Sequence, residues 1–167
     1  MKQLSHPDYE KKYHNLTIIV ICDRIKSSVN LGSICRISEA FGVSKLFIHR
    51  DDEYVLDHPK FIKTSRHAFK NLEICNYEHA NTLITQLKSK HFQIVSLEKC
   101  DKSLALQRIK FHQKTCLIIG HESTGVNQLF LDDSDDVAHI DMYGNNSSMN
   151  VSQATAIGLY ECVRQQV

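Results

Sequence analysis

No apolar run in this 167-residue sequence approaches the ~20 residues that a membrane-crossing helix requires. The N-terminal stretch MKQLSHPDYEKKYHN has neither the apolar centre nor the small-residue cleavage site of a secretory leader, so a cytoplasmic protein is expected. CxxC pairs are missing as well. The six cysteines, Cys22, Cys35, Cys75, Cys100, Cys116 and Cys162, stand far apart and mostly inside apolar segments. That spacing favours reduced core thiols over a disulfide framework or a zinc site. The ten histidines show no ligand spacing, and no metal is expected. A surplus of either charge is also missing: 20 Lys+Arg against 19 Asp+Glu leave a net charge of +1, so any contact with nucleic acid must run through a local patch. Neither a repeat nor a low-complexity tract nor a linker divides the chain, and a single domain over residues 1–167 is expected.

What is present is a chain with the 42% hydrophobic and 23% charged residues of an ordinary globular core. Apolar runs rich in β-branched residues recur at 16–22 (LTIIVIC), 45–49 (KLFIH), 92–97 (FQIVSL), 115–119 (TCLII) and 137–140, and each reads as a buried strand. Helical periodicity fills 30–41, 78–90 and 151–165, and Gly42 sits where a left-handed helix terminus is expected. In the last of these, Val151, Ala154, Thr155, Gly158, Leu159 and Cys162 share one face, a packing surface whose small residues permit close approach. Strands alternating with helices predict an α/β domain, a mostly parallel sheet flanked by helices, with ligands at the carboxyl ends of the strands.

Three segments carry more glycine and polar residues at strand ends than packing needs. The first, Asn30-Leu-Gly-Ser-Ile-Cys-Arg36, opens a helix; Asn30 is a competent N-cap and Arg36 lies one turn after Gly32. The second, Ile119-Gly-His-Glu-Ser-Thr-Gly125, makes a loop with free amides after a strand. It is not a phosphate-binding loop, because Val126 stands at the lysine position, and HExxH fails because Gly125 replaces the second histidine. The third runs from Gly144 to Ser152, with Ser148 or Asn150 as the cap of the last helix. Taken singly, each is also an ordinary capped helix, a tight turn or a polar loop. A fourth segment, 58–70 (HPKFIKTSRHAFK), places Lys60, Lys63, Arg66 and Lys70 among Phe61 and Phe69 with no acidic residue. Phosphates and stacked bases suit that mixture, and so does a solvated amphipathic segment with two buried phenylalanines. The acidic run Asp132, Asp133, Asp135, Asp136 reads as a polar turn.

Together, Asn30-x-Gly32-x-x-x-Arg36-x-x-x-Ala40-Phe41-Gly42, Ile119-Gly120-x-Glu122-x-x-Gly125 and Ser148-Met149-Asn150-Val151-Ser152-x-Ala154 with Tyr160-Glu161 resemble the three motifs of the SpoU/TrmH branch of the SPOUT superfamily, RNA ribose 2′-O-methyltransferases. The likeness spans about residues 15 to 165, with Asp141 where the family usually has proline and Met149 where it usually has leucine. The resemblance implies a C-terminal trefoil knot, a homodimer, and S-adenosylmethionine held largely by backbone groups of Leu97, Gly120, Ile140 and Met149. It implies catalytic roles for Arg36, Asn30, Glu122, Ser148 and Asn150. A guanidinium keeps its proton in proteins, so Arg36 fits better as a charged group that orients the ribose and a phosphate than as a base. The RNA implied is tRNA, given that only about 15 residues precede the first strand, with a D-loop guanosine as the first candidate. The same chemistry on ribosomal RNA, an RNA-binding module without catalysis and a nucleotide-binding regulatory domain are the alternatives.

Overall fold

The computed structural model describes residue 10 and residues 12–166; most of the N-terminal stretch read for a leader lies outside them. The elements follow in the order β1 (Thr17–Cys22), α1 (Ser28–Ala40), β2 (Lys45–His49), a 3-10 turn (Arg50–Asp57), α2 (Pro59–Ser65), α3 (Ala68–Asn71), β3 (Glu73–Tyr77), α4 (Ala80–Ser89), β4 (Gln93–Leu97), β5 (Leu104–Ala105), a short 3-10 turn (Leu106–Arg108), β6 (Lys114–Ile119), α5 (Gln128–Asp133), β7 (Asp136–His139) and α6 (Val151–Arg164). The strands form one sheet in the order β3-β2-β1-β6-β4-β7-β5, and every pairing in it is parallel.

The sheet is buried on both faces, which is why β1 and β6 read as unbroken apolar runs rather than as alternating ones. Successive side chains still point to opposite sides. Ile18, Val20, Cys22, Leu117 and Ile119 join the core under α1 and α6, while Ile19, Ile21, Cys116 and Ile118 join the one under α4 and α5. All six cysteines are free thiols, and burial pushes those of Cys35 and Cys162 up to about 12.

The apolar face of α6 is used inside the chain. Thr155 and Leu159 are fully covered, and a β-carbon on Gly158 would stand 3.1 Å from Leu117 Cδ2 and 3.4 Å from Leu97 Cδ2. This face therefore packs on β6 and β4, at the close approach that its small residues permit. The C-terminal end of α6 is held by the connection between β4 and β6. Gln165 Nε2 donates to Ile109 O at 2.8 Å, Gln165 Oε1 accepts from Phe111 N at 3.1 Å, and Gln166 Nε2 donates to Phe111 O at 2.8 Å. The end of the last helix is thus tied to a connection laid down earlier in the chain.

Two assignments need correction. The acidic run is not a turn: Asp132 and Asp133 end α5, and Asp136 opens β7. Asp135 Oδ2 accepts from Ile94 N at 2.7 Å and Asp136 Oδ2 from Gln93 Nε2 at 2.9 Å, so the run ties α5 to the edge of β4. The basic segment is not one continuous stretch but two short helices, α2 and α3.

Candidate active site at the carboxyl edge of the sheet

Ser27, not Asn30, caps α1: its hydroxyl accepts from Asn30 N at 3.3 Å. Asn30 therefore lies inside the first turn, where its side chain is free to reach across the sheet edge. Its Nδ2 donates to Glu122 Oε1 at 2.9 Å, and its Oδ1 accepts from Asn150 Nδ2 at 3.0 Å. Asn150 caps α6 as expected, its Oδ1 accepting from Ser152 N at 2.9 Å and Ser152 Oγ at 2.6 Å. Each amide is oriented by what it meets on its other side, so the line Glu122–Asn30–Asn150 has one internally consistent arrangement. It joins all three motifs, and Glu122 and Asn150 remain exposed to a ligand.

The loop after β6 closes on itself. His121 and Gly125 exchange backbone hydrogen bonds of 3.0 Å each, and Gly125 sits at φ +71°. A β-carbon on Gly120 would overlap the carbonyl carbon of Gly125 and the amide nitrogen of Val126. Glycine is thus required at position 120 by the chain's own crossing. Glu98 braces the same loop. Its Oε2 accepts from Val126 N at 3.0 Å and its Oε1 from Lys99 N at 2.8 Å, and it fills the space that a side chain on Gly125 would need. Behind the loop, buried Asp23 accepts from Asn127 N at 2.6 Å and from the Tyr77 hydroxyl at 3.2 Å. Burial raises the Asp23 carboxyl above its usual range against the lowering effect of those bonds. Sequence reading missed both carboxylates, although each closes an apolar strand.

The register pairs Leu97 with Ile119 and with Ala138, so the loops after β4, β6 and β7 emerge side by side. Leu97, Ile140 and Met149 are half-buried there and Gly120 is buried. Two predicted catalytic residues do not join the polar line. Ser148 is exposed, and among the described residues its side chain makes no hydrogen bond. Arg36 is also exposed without a partner among the described residues. Six positions after Asn30, it lies about 240° around α1 and about 9 Å along it. Asn30 and Glu122 therefore do not hold Arg36 of the same chain. Gly32 faces α2, where a β-carbon would stand 2.9 Å from Thr64 Cβ and 3.0 Å from Phe61 O, so its role is helix packing.

In the basic segment, Phe61 is 2% exposed and its ring packs 6.1 Å from that of Phe69. Neither aromatic is presented for stacking on bases. Lys60, Lys63, Arg66 and Lys70 are all exposed, which leaves a cationic helical surface. Among the described residues, no group of His, Cys, Asp and Glu side chains could hold a metal ion, and no helix is long and apolar enough to cross a membrane.

The model of the SpoU rRNA Methylase family matches residues 17–160, which contain the three motifs as far as Tyr160. The chain belongs to this family. It is 29% identical over 157 residues to the tRNA (guanosine(18)-2′-O)-methyltransferase of Aquifex aeolicus, covering 94% of this chain and 72% of that one. It is 25% identical over 151 residues to the 23S rRNA (guanosine-2′-O-)-methyltransferase of Acinetobacter baylyi, covering 90% and 60%. Among solved structures, the SpoU methyltransferase AviRb of Streptomyces viridochromogenes, in complex with AdoMet, superposes with a TM-score of 0.80 at 24% identity over 93% of this chain and 59% of that one. The fold of this SpoU family member is accordingly the SPOUT-type α/β domain of the TrmH/SpoU branch.

Proposed function

We propose that this SpoU family member transfers a methyl group from S-adenosylmethionine to a ribose 2′-hydroxyl of RNA. The observation that carries the reading is the line Glu122–Asn30–Asn150, which stands beside the loops of β4, β6 and β7. Those loops fit the cofactor: half-buried Leu97, Ile140 and Met149 offer apolar walls for an adenosine, and backbone groups around Gly120 offer hydrogen bonds. S-adenosylmethionine, when bound, supplies a methyl carried on a sulfonium. The chain's own groups must align the ribose oxygen in line with that methyl and ease the loss of its proton. Glu122, whose Oε2 accepts no hydrogen bond among the described residues, and Asn150 hold the ribose, with Ser148 as a further hydrogen-bonding group. Arg36 orients the attacking oxygen and the adjoining phosphate with its planar fork of donors.

Because Arg36 stands away from the Asn30 line, the composite site is completed in a homodimer, one protomer giving Arg36 and its partner the other groups. Exposed Val29, Ile157 and Tyr160 on the outer sides of α1 and α6 suit such an interface. The exposed cations Lys60, Lys63, Arg66 and Lys70 meet the RNA backbone. The substrate is tRNA in the cytoplasm, with a D-loop guanosine as the first target, in line with the likeness to the tRNA (guanosine(18)-2′-O)-methyltransferase of Aquifex aeolicus. The Acinetobacter relative supports a second reading, the same chemistry on ribosomal RNA. Methylation of tRNA and 23S rRNA transcripts with labelled S-adenosylmethionine, followed by mapping of 2′-O-methyl positions, separates the two. Failure to bind S-adenosylmethionine at all would leave the RNA-binding module and the nucleotide-binding regulatory domain.

A further inference from the structure

Asp141 lies in the loop that leads from β7 toward α6, directly after Ile140. Proline would hold the backbone there by its ring; Asp141 and the residue before Ile140 are instead tied down by side chains. Gln107 Nε2 donates to Asp141 Oδ2 at 3.1 Å, which holds the Asp141 carboxyl below the usual carboxylate range. Asp141 Oδ1 stands 3.3 Å from His139 Nε2. On the other edge of its ring, His139 Nδ1 lies 2.9 Å from Ser103 Oγ. Ser103 Oγ in turn donates to Cys100 O at 2.7 Å and accepts from Cys100 N at 3.1 Å. Side chains on both sides of Ile140 are thus strapped to the 100–107 segment, across the short β5–β7 pairing of Leu104 with Ala138 and Ala105 with His139.

We propose that Asp141 is a positioning residue for cofactor binding: with Gln107, His139 and Ser103 it forms a clasp that fixes the backbone at Ile140, giving by hydrogen bonds the stiffness that a ring would give covalently. This rests on the cofactor reading above. The physical basis is preorganisation, since a loop already held in its bound form loses less freedom when the ligand arrives. Asp141 has a negative φ, so a proline can be tried at the same position.

The test is calorimetric titration of the whole protein with S-adenosylmethionine alone, each variant first checked for folding by circular dichroism. Asp141→Ala should bind about tenfold more weakly than the wild type, and Gln107→Ala, which keeps the carboxylate and cuts one strap, about fivefold more weakly. Asp141→Pro should recover most of the wild-type affinity, because the ring restores stiffness without any charge. Wild-type affinity in Asp141→Ala overturns the clasp and leaves the cofactor reading standing. Weak binding by Asp141→Ala with unchanged binding by Gln107→Ala also overturns it, since the carboxylate would then act on the ligand directly. A folded Asp141→Pro that binds as weakly as the alanine variant does the same; should it not fold, the other two variants decide. A wild-type protein that binds no S-adenosylmethionine overturns both readings.

Discussion

Replacing Gly120 by alanine adds one methyl group at a place where the chain leaves no room for it. The new β-carbon would overlap the carbonyl carbon of Gly125 and the amide nitrogen of Val126, backbone atoms that no rotamer change can move. Relief requires the loop to open, and three hydrogen bonds are exposed to loss: the two between His121 and Gly125 and the one from Val126 N to Glu98. At a net worth of about 0.5–1.5 kcal/mol each, their loss costs on the order of 1.5–4.5 kcal/mol. That overlaps the ~1–3 kcal/mol typical of overpacking. For a chain of this size about 2–4 °C is lost per kcal/mol, so the thermal midpoint of Gly120→Ala should fall by roughly 3–18 °C. Binding of S-adenosylmethionine should weaken with it, because the loop that opens is the one beside the polar line. Gly144→Ala is the matched control, since a β-carbon there meets nothing within 4 Å and should change neither quantity. A Gly120→Ala protein with wild-type melting and wild-type affinity would refute the reasoning, for it would mean that the crossing at Gly125 is not as tight as described.

Arg36→Lys should keep cofactor affinity while turnover on RNA falls on the order of a hundredfold, because one ammonium cannot reproduce a planar fork; near-normal turnover would remove the bidentate role. Lys63→Ala combined with Arg66→Ala should weaken RNA binding and lower the slope of log affinity against log salt by about 1–2, and an unchanged salt series would return α2 to a purely structural part. Sedimentation at low micromolar concentration should give twice the 19.2 kDa of one chain, and a monomer alone would undo the composite site. Burial raises the Asp23 carboxyl, so the folded chain holds that proton more tightly than the unfolded one. The associated stability is present below the ordinary aspartate range and is lost as pH rises through the raised value. Asp23→Asn should flatten this part of the pH dependence in urea titrations, and an unaltered profile would show that Asp23 is not its source.

How much of this was legible beforehand depended on burial. The run at 45–49 became β2 with the same bounds, and the runs at 16–22, 92–97, 115–119 and 137–140 differed from their strands by a single residue at one or both ends, because buried strand positions must be apolar. Two edge strands escaped notice: β3, with the sequence EICNY, mixes exposed and half-buried positions, and β5 has only two residues. The helix α2 was obscured by the same lysines that suggested an RNA contact. In the site, Asn30, Glu122 and Asn150 were marked by their motifs, but their mutual hydrogen bonds join residues 92 and 120 positions apart, which no local pattern encodes. Glu98 and Asp23 carried no motif, since a lone carboxylate after an apolar run has the same appearance at a solvated turn. The glycine at 120 was marked by its motif, but that it makes way for the chain's own return at Gly125 is encoded by no local pattern.

The trefoil knot that the resemblance implies has a mechanical consequence. A helix so threaded would not be released by unzipping the sheet from its edge, since the connection from β4 to β6, to which Gln165 and Gln166 are bonded, would still encircle it. Pulled by its two ends in an optical trap, the chain should draw tight around the α6 segment and stop short of the extension of a free chain of equal length. Refolding from that tightened state should be faster than from chemically denatured, unthreaded chains, because the slow step, returning a helix through a loop, has been kept.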